Sequence, residues 1–101
     1  MKLDAHHIKD KRAVLEGWHC LGPEGPLEKS WTFARFSAAM AFFVEVGNLA
    51  ERLNHHPEFL SNYTDMRIRL WTHDVNGLTA LDFDMALAID QIYARMFSPS
   101  T

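Results

Sequence analysis

Two short stretches of this chain hold residue types that exchange protons near neutral pH. Asn54-His55-His56-Pro57-Glu58 puts two histidines side by side, and Thr72-His73-Asp74 supplies a third. Imidazole, with an unperturbed pKa of about 6.5, is the side chain best suited to give or take a proton there. Each stretch falls where a regular pattern stops, so side chains from separate elements can face a shared cleft. Together they predict a proton-transfer site. The remaining histidines, His6, His7 and His19, are read as surface or capping residues.

Three histidines can also bind catalytic zinc. Helical zinc motifs space their ligands a turn apart, however, and no HExxH arrangement occurs here. Adjacent residues seldom aim both rings at one ion, so no metal site is expected. Glu51 precedes His55 by four residues and shares its helix face if the helix runs that far. Its carboxylate could then orient the imidazole and favour the protonated form. The equal alternative is a solvated helix charge. Asp82 is most simply a helix-capping acid. Arg67 and Arg69 fit a solvated strand face, whereas Trp71 on that same face asks for cover by a loop, a ligand or a second subunit.

The elements that must position these residues follow from periodicity. Residues 4–16 predict a helix capped by Asp4, with a patchy apolar face of Ile8, Val14 and Leu15. Residues 18–21 and 27–35 predict two strands of a hairpin, separated by the turn-rich Gly22-Pro23-Glu24-Gly25-Pro26. Lys29, Trp31 and Phe33 share one parity of the second strand. Ala39, Phe42, Phe43, Val46, Ala50 and Leu53 recur at helical spacing, predicting a helix over 37–53 with Ser37 as N-cap candidate. Asn54 suits its C-terminal end, and Pro57 prevents its continuation.

Residues 58–61 read as a short strand and Asn62-Tyr63 as a turn. Residues 65–72 alternate cleanly. Met66, Ile68, Leu70 and Thr72 take one face, while Arg67, Arg69, Trp71 and His73 take the other, as in an antiparallel strand covered on one side. After a loop at 74–77, Thr79-Ala80-Leu81-Asp82 matches a capped helix start. Leu81, Met85, Ile89, Ile92 and Met96 carry that helix through 79–96. The order α-β-β-α-β-β-α predicts an α+β domain, an antiparallel sheet with helices on one face.

With 101 residues, 48% of them hydrophobic and 23% charged, the chain suits one soluble globular domain over 1–101, its core about 13–97 and a frayed tail at 98–101. No run is long enough for a membrane helix, and the polar N-terminus does not resemble a secretion signal. The net charge of −3, with scattered Lys and Arg, gives no electrostatic footprint for nucleic acid. Cys20 is the single cysteine, which excludes an intrachain disulfide and a Cys-based zinc site, and a cytoplasmic location is the simplest expectation.

The joint spacing of Asn54-His55-His56-Pro57-Glu58, Thr72-His73-Asp74 and Gly77-Leu78-Thr79 with Asp82, Ala86, Ile89 and Asp90 strongly resembles the pterin-4α-carbinolamine dehydratases. Gly17-Trp18, Trp31, Phe33, Phe36, Ala39, Phe42, Val46 and Ala50-Glu51 extend the resemblance over roughly 13–93. It implies a four-stranded antiparallel sheet and oligomers, homodimers or homotetramers, joined through sheet edges. It implies no metal and no bound cofactor. The implied reaction is loss of water from a 4a-hydroxytetrahydropterin to give the quinonoid dihydropterin, a step that recycles the cofactor of aromatic amino-acid hydroxylases. By resemblance, His55 and His73 are proton donors to the leaving hydroxyl, and His56 orients the pterin or accepts the N5 proton. Glu51, Pro57, Glu58, Thr72, Asp74 and Asp82 are supporting or substrate-binding positions. Two other roles are compatible with such a fold: a non-catalytic dimerisation cofactor of a transcription factor, as in some animal members, and a pterin-binding assembly factor.

Overall fold

The computed structural model describes residues 1–97. Its elements are α1 (Ala5–Arg12), β1 (His19–Cys20), β2 (Leu27–Thr32), α2 (Phe36–Leu53), β3 (Glu58–Asn62), β4 (Asp65–Leu70) and α3 (Ala80–Phe97), with a 3-10 turn at His73–Val75 between β4 and α3. The expected order α-β-β-α-β-β-α and the four-stranded antiparallel sheet are both present. The strands lie in the order β1-β2-β4-β3, so β3 forms one edge and the two strands of the β3–β4 hairpin pair directly. The tail expected at 98–101 lies outside the described residues.

Strand alternation sets the two faces of the sheet. Leu27, Trp31, Met66, Ile68 and Leu70 are buried and meet the apolar stripes of α2 (Ala39, Phe42, Val46, Leu49, Ala50) and α3 (Phe83, Met85, Ala86, Ile89, Ile92). Opposite them, Glu28, Arg67 and Arg69 remain partly exposed on the uncovered face. Lys29 shares the parity of Trp31, yet it does not bury an unpaired charge. Its Nζ donates to Asp90 Oδ1 at 2.8 Å and to the Glu16 carbonyl at 2.9 Å, beside the Trp18 and Trp31 rings. Trp18 is itself buried, and its indole N–H donates to the same Asp90 carboxylate at 3.1 Å. Thus β2 and the residue just before β1 are tied to α3 by one carboxylate shared between a lysine and an indole.

The structure corrects several boundaries. The first helix ends at Arg12 rather than 16, where the Ala13 N–H turns back to the Lys9 and Lys11 carbonyls. The chain then leaves the helix, so Leu15 still reaches the core while Val14 points to solvent at 75% exposure. Asp4 does cap this helix. The His7 backbone N–H bond holds its carboxyl below the usual carboxylate range. Helix α2 begins one residue before Ser37. Arg35 occupies the N-cap with no side-chain bond, and Phe36 stacks on Tyr63 with ring centroids 6.2 Å apart. Strand β1 keeps only His19–Cys20, because the buried Trp18 turns away into the core.

Strand β2 stops at Thr32, which pairs with Asp65, the first residue of its partner β4. Strand β4 stops at Leu70, and Thr72 bridges Gly77 instead. Strand β3 runs through Asn62, so the hairpin turn lies at Tyr63 and Thr64 rather than at Asn62-Tyr63. Tyr63 takes the left-handed φ of 56° there. No helix among the described residues is long and apolar enough to cross a membrane.

Candidate functional site

Three chain reversals meet at one end of the sheet. Helix α2 ends on Asn54 in the left-handed conformation (φ 50°, ψ 45°), whose N–H bonds the Ala50 and Glu51 carbonyls. The His55 N–H also returns to the Ala50 carbonyl, at 3.0 Å. This closure fixes the His55 backbone against the helix end. Pro57 follows and starts the chain toward β3. Across the cleft, the Thr72–Gly77 bridge closes the loop that presents His73. The third reversal is the start of α3 at Thr79-Ala80-Leu81-Asp82.

Asp82 joins all three. It is completely buried. Its Oδ2 accepts the Thr79 backbone N–H at 2.9 Å and the Thr72 hydroxyl at 2.6 Å, and its Oδ1 lies 2.6 Å from His55 Nε2. The capping role expected of this acid is therefore real, but it is only one of several bonds. The reciprocal half of the capping box is absent, since the Thr79 hydroxyl contacts the Thr72 hydroxyl at 3.0 Å instead. Thr72 gives its single proton to Asp82, so Thr79 must donate to Thr72. No buried side-chain nitrogen or oxygen among the described residues lacks a partner. A carboxylate at Nε2 holds the N–H tautomer there and fixes the ring plane, leaving Nδ1 as the nitrogen able to exchange a proton.

His56 lies in a different setting. Its Nε2 is 2.5 Å from Glu51 Oε2, with the two side chains 59% and 77% exposed. From sequence, Glu51 was equally compatible with orienting His55, four residues on, and with a solvated helix charge. The left-handed turn at Asn54 takes His55 inward to Asp82 and leaves Glu51 opposite His56. His73 is exposed at the head of the 3-10 turn, and its ring has no hydrogen bond among the described residues.

All three histidines, with Asn54, Trp71, Thr72 and Asp74, line a cavity of about 190 Å³. A second cavity of about 250 Å³ adjoins it, lined by Pro26, His56, Glu58, Arg69, Trp71 and His73. The supporting positions expected from sequence are thus divided. Thr72 and Asp74 line the first cavity and Glu58 the second, while Glu51 and Asp82 stand behind His56 and His55. Pro57 lines neither cavity and acts on the backbone between them. Arg69 and Pro26 were not anticipated, and Trp71 was noticed only as needing cover. Its parity with Arg69, continued past the end of β4, was the available signal. Among the described residues no group of three or more His, Cys, Asp or Glu side chains is arranged to hold a metal ion. Burial pushes the Cys20 thiol up, away from thiolate chemistry at neutral pH.

Comparisons with known proteins bear on the family and the fold. The family model described as pterin 4 alpha carbinolamine dehydratase matches residues 1–92. A Sinorhizobium medicae (strain WSM419) protein named "Putative pterin-4-alpha-carbinolamine dehydratase" is 41% identical over 90 residues, covering 89% of this chain and 86% of that one. The crystal structure of a transcriptional coactivator/pterin dehydratase from Brucella melitensis superposes with a TM-score of 0.86 at 32% identity, covering 91% of this chain and 98% of that one. A pterin dehydratase-like protein identified as a RuBisCO assembly factor in the alpha-carboxysome shares the fold, with a TM-score of 0.66 at 20% identity over 76% of this chain and 89% of that one. By sequence and by fold, this chain belongs to the pterin 4 alpha carbinolamine dehydratase family.

Proposed function

We propose that the chain eliminates water from a 4a-hydroxytetrahydropterin by histidine acid–base catalysis. The observation that carries this is the convergence of His55, His56 and His73 on one cavity, with His55 anchored from behind by the buried Asp82. The chemistry needs little more. The C4a–O bond breaks as the hydroxyl takes up a proton and departs as water. N5 loses its proton, and the N5–C4a bond gains the electron pair that the proton leaves behind. The product is the quinonoid dihydropterin. His55, through Nδ1, and His73 deliver the proton to the departing hydroxyl. His56, steadied by Glu51, orients the ring or accepts the N5 proton. A positioned acid or base of this kind contributes about 10²–10⁴-fold. N5 supplies the electron push, so no Lewis acid is required by the reaction. Stopped-flow dehydration of synthetic carbinolamine tests the assignment. The expected result is turnover that persists after prolonged chelation, and a parental protein that leaves the spontaneous rate unchanged would refute it.

The exposed edge of the sheet supports a second property. Strand β3 has an unpaired edge, four of its five residues are exposed and Leu60 is 53% exposed. Such an edge favours pairing with another copy, and we propose a homodimer or homotetramer built through it, in the cytoplasm. Light scattering that returned a stable 11.6 kDa monomer at micromolar concentration would refute this. The coactivator half of the Brucella protein's name suggests an interaction role on the same scaffold. A role as a dimerisation cofactor or assembly factor without turnover would need none of the histidines, so the dehydration assay separates it from the enzyme.

A further inference from the structure

The two adjoining cavities share His56, Trp71 and His73 as common walls. Each alone is below the roughly 300–1,000 Å³ of a usual small-molecule site. One ligand extending through both fits that range better than two separate ligands. If the pterin reading above holds, connectivity dictates which part goes where. C6 is bonded directly to N5, so the first atom of a C6 substituent lies two bonds from the atom that loses its proton. The substituent must leave the histidine cavity beside His56 and His73, where the second cavity begins.

One wall of that second cavity, Trp71, has no evident duty in folding. Trp18 and Trp31 are buried in the core, but Trp71 is half-buried and lies outside the core cluster. Its indole N–H donates to no group among the described residues, and its ring has no aromatic neighbour there. Beyond it, Glu28, Arg69 and Glu58 lie in register across β2, β4 and β3. Arg69 Nε donates to Glu28 at 2.6 Å, and its Nη1 is 3.7 Å from Glu58. The guanidinium is thus flanked by two carboxylates. Arg67 Nε is also 3.5 Å from Glu28, so two guanidiniums face two carboxylates, and an anionic group entering here would have to displace Glu58 or Glu28 to reach Arg69. A hydroxyl would find both a donor and an acceptor.

We propose that this second cavity is the subsite for the C6 substituent of the pterin, with Trp71 as its flat wall and Arg69 and Glu58 as its polar end. It selects an uncharged, hydroxylated substituent over an anionic one. The inference rests on the pterin assignment and is tested apart from it by binding of three stable 7,8-dihydropterins. They carry at C6 a methyl group, a trihydroxypropyl chain, or the phosphate monoester of that chain. The parental protein should bind the trihydroxypropyl probe tightest. Trp71→Ala should remove about tenfold of its advantage over the methyl probe, as expected for loss of an aromatic stacking surface. Trp71→Phe should retain most of the advantage, and Glu58→Gln should narrow the discrimination against the phosphate.

Equal weakening of the methyl and trihydroxypropyl probes by Trp71→Ala, or tightest binding of the phosphate by the parental protein, would overturn the subsite. Normal carbinolamine turnover with unaltered probe ratios in every variant would overturn the subsite alone. Absence of both turnover and probe binding in the parental protein would overturn the pterin assignment and the subsite with it.

Discussion

His55 and His56 are neighbours in sequence, yet they are held in opposite ways. His55 is 9% exposed and faces a fully buried carboxylate that takes two further hydrogen bonds. His56 faces a carboxylate that is itself largely in water, and nothing else anchors that carboxylate among the described residues. Both contacts are short, so distance does not distinguish them. What differs is what each carboxylate would do without its histidine. Asp82 is a structural junction of three chain segments, whereas Glu51 is an ordinary helix residue free to turn to solvent. One histidine is built into the fold and the other is presented by it. A site with one fixed and one adjustable imidazole can hold a defined proton path while still admitting and releasing a ligand.

The strongest way to break this contrast is to remove its anchor. Asp82→Ala leaves a buried imidazole, a hydroxyl and a backbone N–H without their acceptor. Each buried donor left without its acceptor costs on the order of 1–3 kcal/mol. Denaturant unfolding should show that loss, and dehydration should fall at the same time because His55 loses its tautomer and orientation. Asp82→Asn keeps the volume and part of the bonding, so it should fold better than the alanine variant while still losing turnover. If Asp82→Ala melts like the parental protein, the three-way junction has been misjudged.

Next in size is the acid–base set itself. His55→Ala and His73→Ala should each lower kcat, and the double variant should lose much more, approaching the whole of about 10²–10⁴-fold. Groups that serve one transition state are not additive, so the double variant carries the information. The two halves should also differ in stability. His55→Ala opens a buried corner, whereas His73→Ala alters an exposed side chain and should shift the unfolding midpoint little. Single and double variants that all turn over at the parental rate would remove the histidines from the mechanism.

The presented half was easier to find in the sequence than the built-in half. The histidine pair and the left-handed Asn54 are local signals, and each is where it was expected, whereas the strand pattern read through Thr72 stops at Leu70 and His73 heads a 3-10 turn. The α-β-β-α-β-β-α order was legible for the same reason, since α2 and β4 carry strong periodicities. Asp82 was read as a cap because its local signature is a capping box. Its contact with His55 spans 27 residues and depends on how α3 docks at the end of the sheet, which no local pattern records. Glu51 shows the converse. Helical spacing paired it with His55, but a single left-handed residue at Asn54 rotated the next side chain inward. The missed termini have similar causes. Strands β2 and β4 stop where their partners do, and Trp18 leaves β1 for a carboxylate 72 residues away.

The smallest expected effect is at Glu51, and it sharpens the comparison most. The Glu51–His56 pair is exposed on both sides, so its contribution to stability should be within about 1 kcal/mol and should decline with salt. Glu51→Gln should therefore leave the unfolding midpoint almost unchanged. If His56 orients the ligand, the same variant should raise KM by a few-fold at low ionic strength and by less at high ionic strength, where the parental protein has already lost most of the interaction. The His55–Asp82 pair is shielded from solvent, so Asp82→Asn should show no such convergence with the parental protein as salt is added. Parallel salt titrations of KM and kcat for the two variants make the test. If both defects are insensitive to salt, His56 is held as firmly as His55 and the distinction between a fixed and an adjustable imidazole fails. If Glu51→Gln lowers kcat with KM unchanged, Glu51 acts on the proton-transfer step itself, and His56 belongs with His55 and His73 among the groups that move the proton.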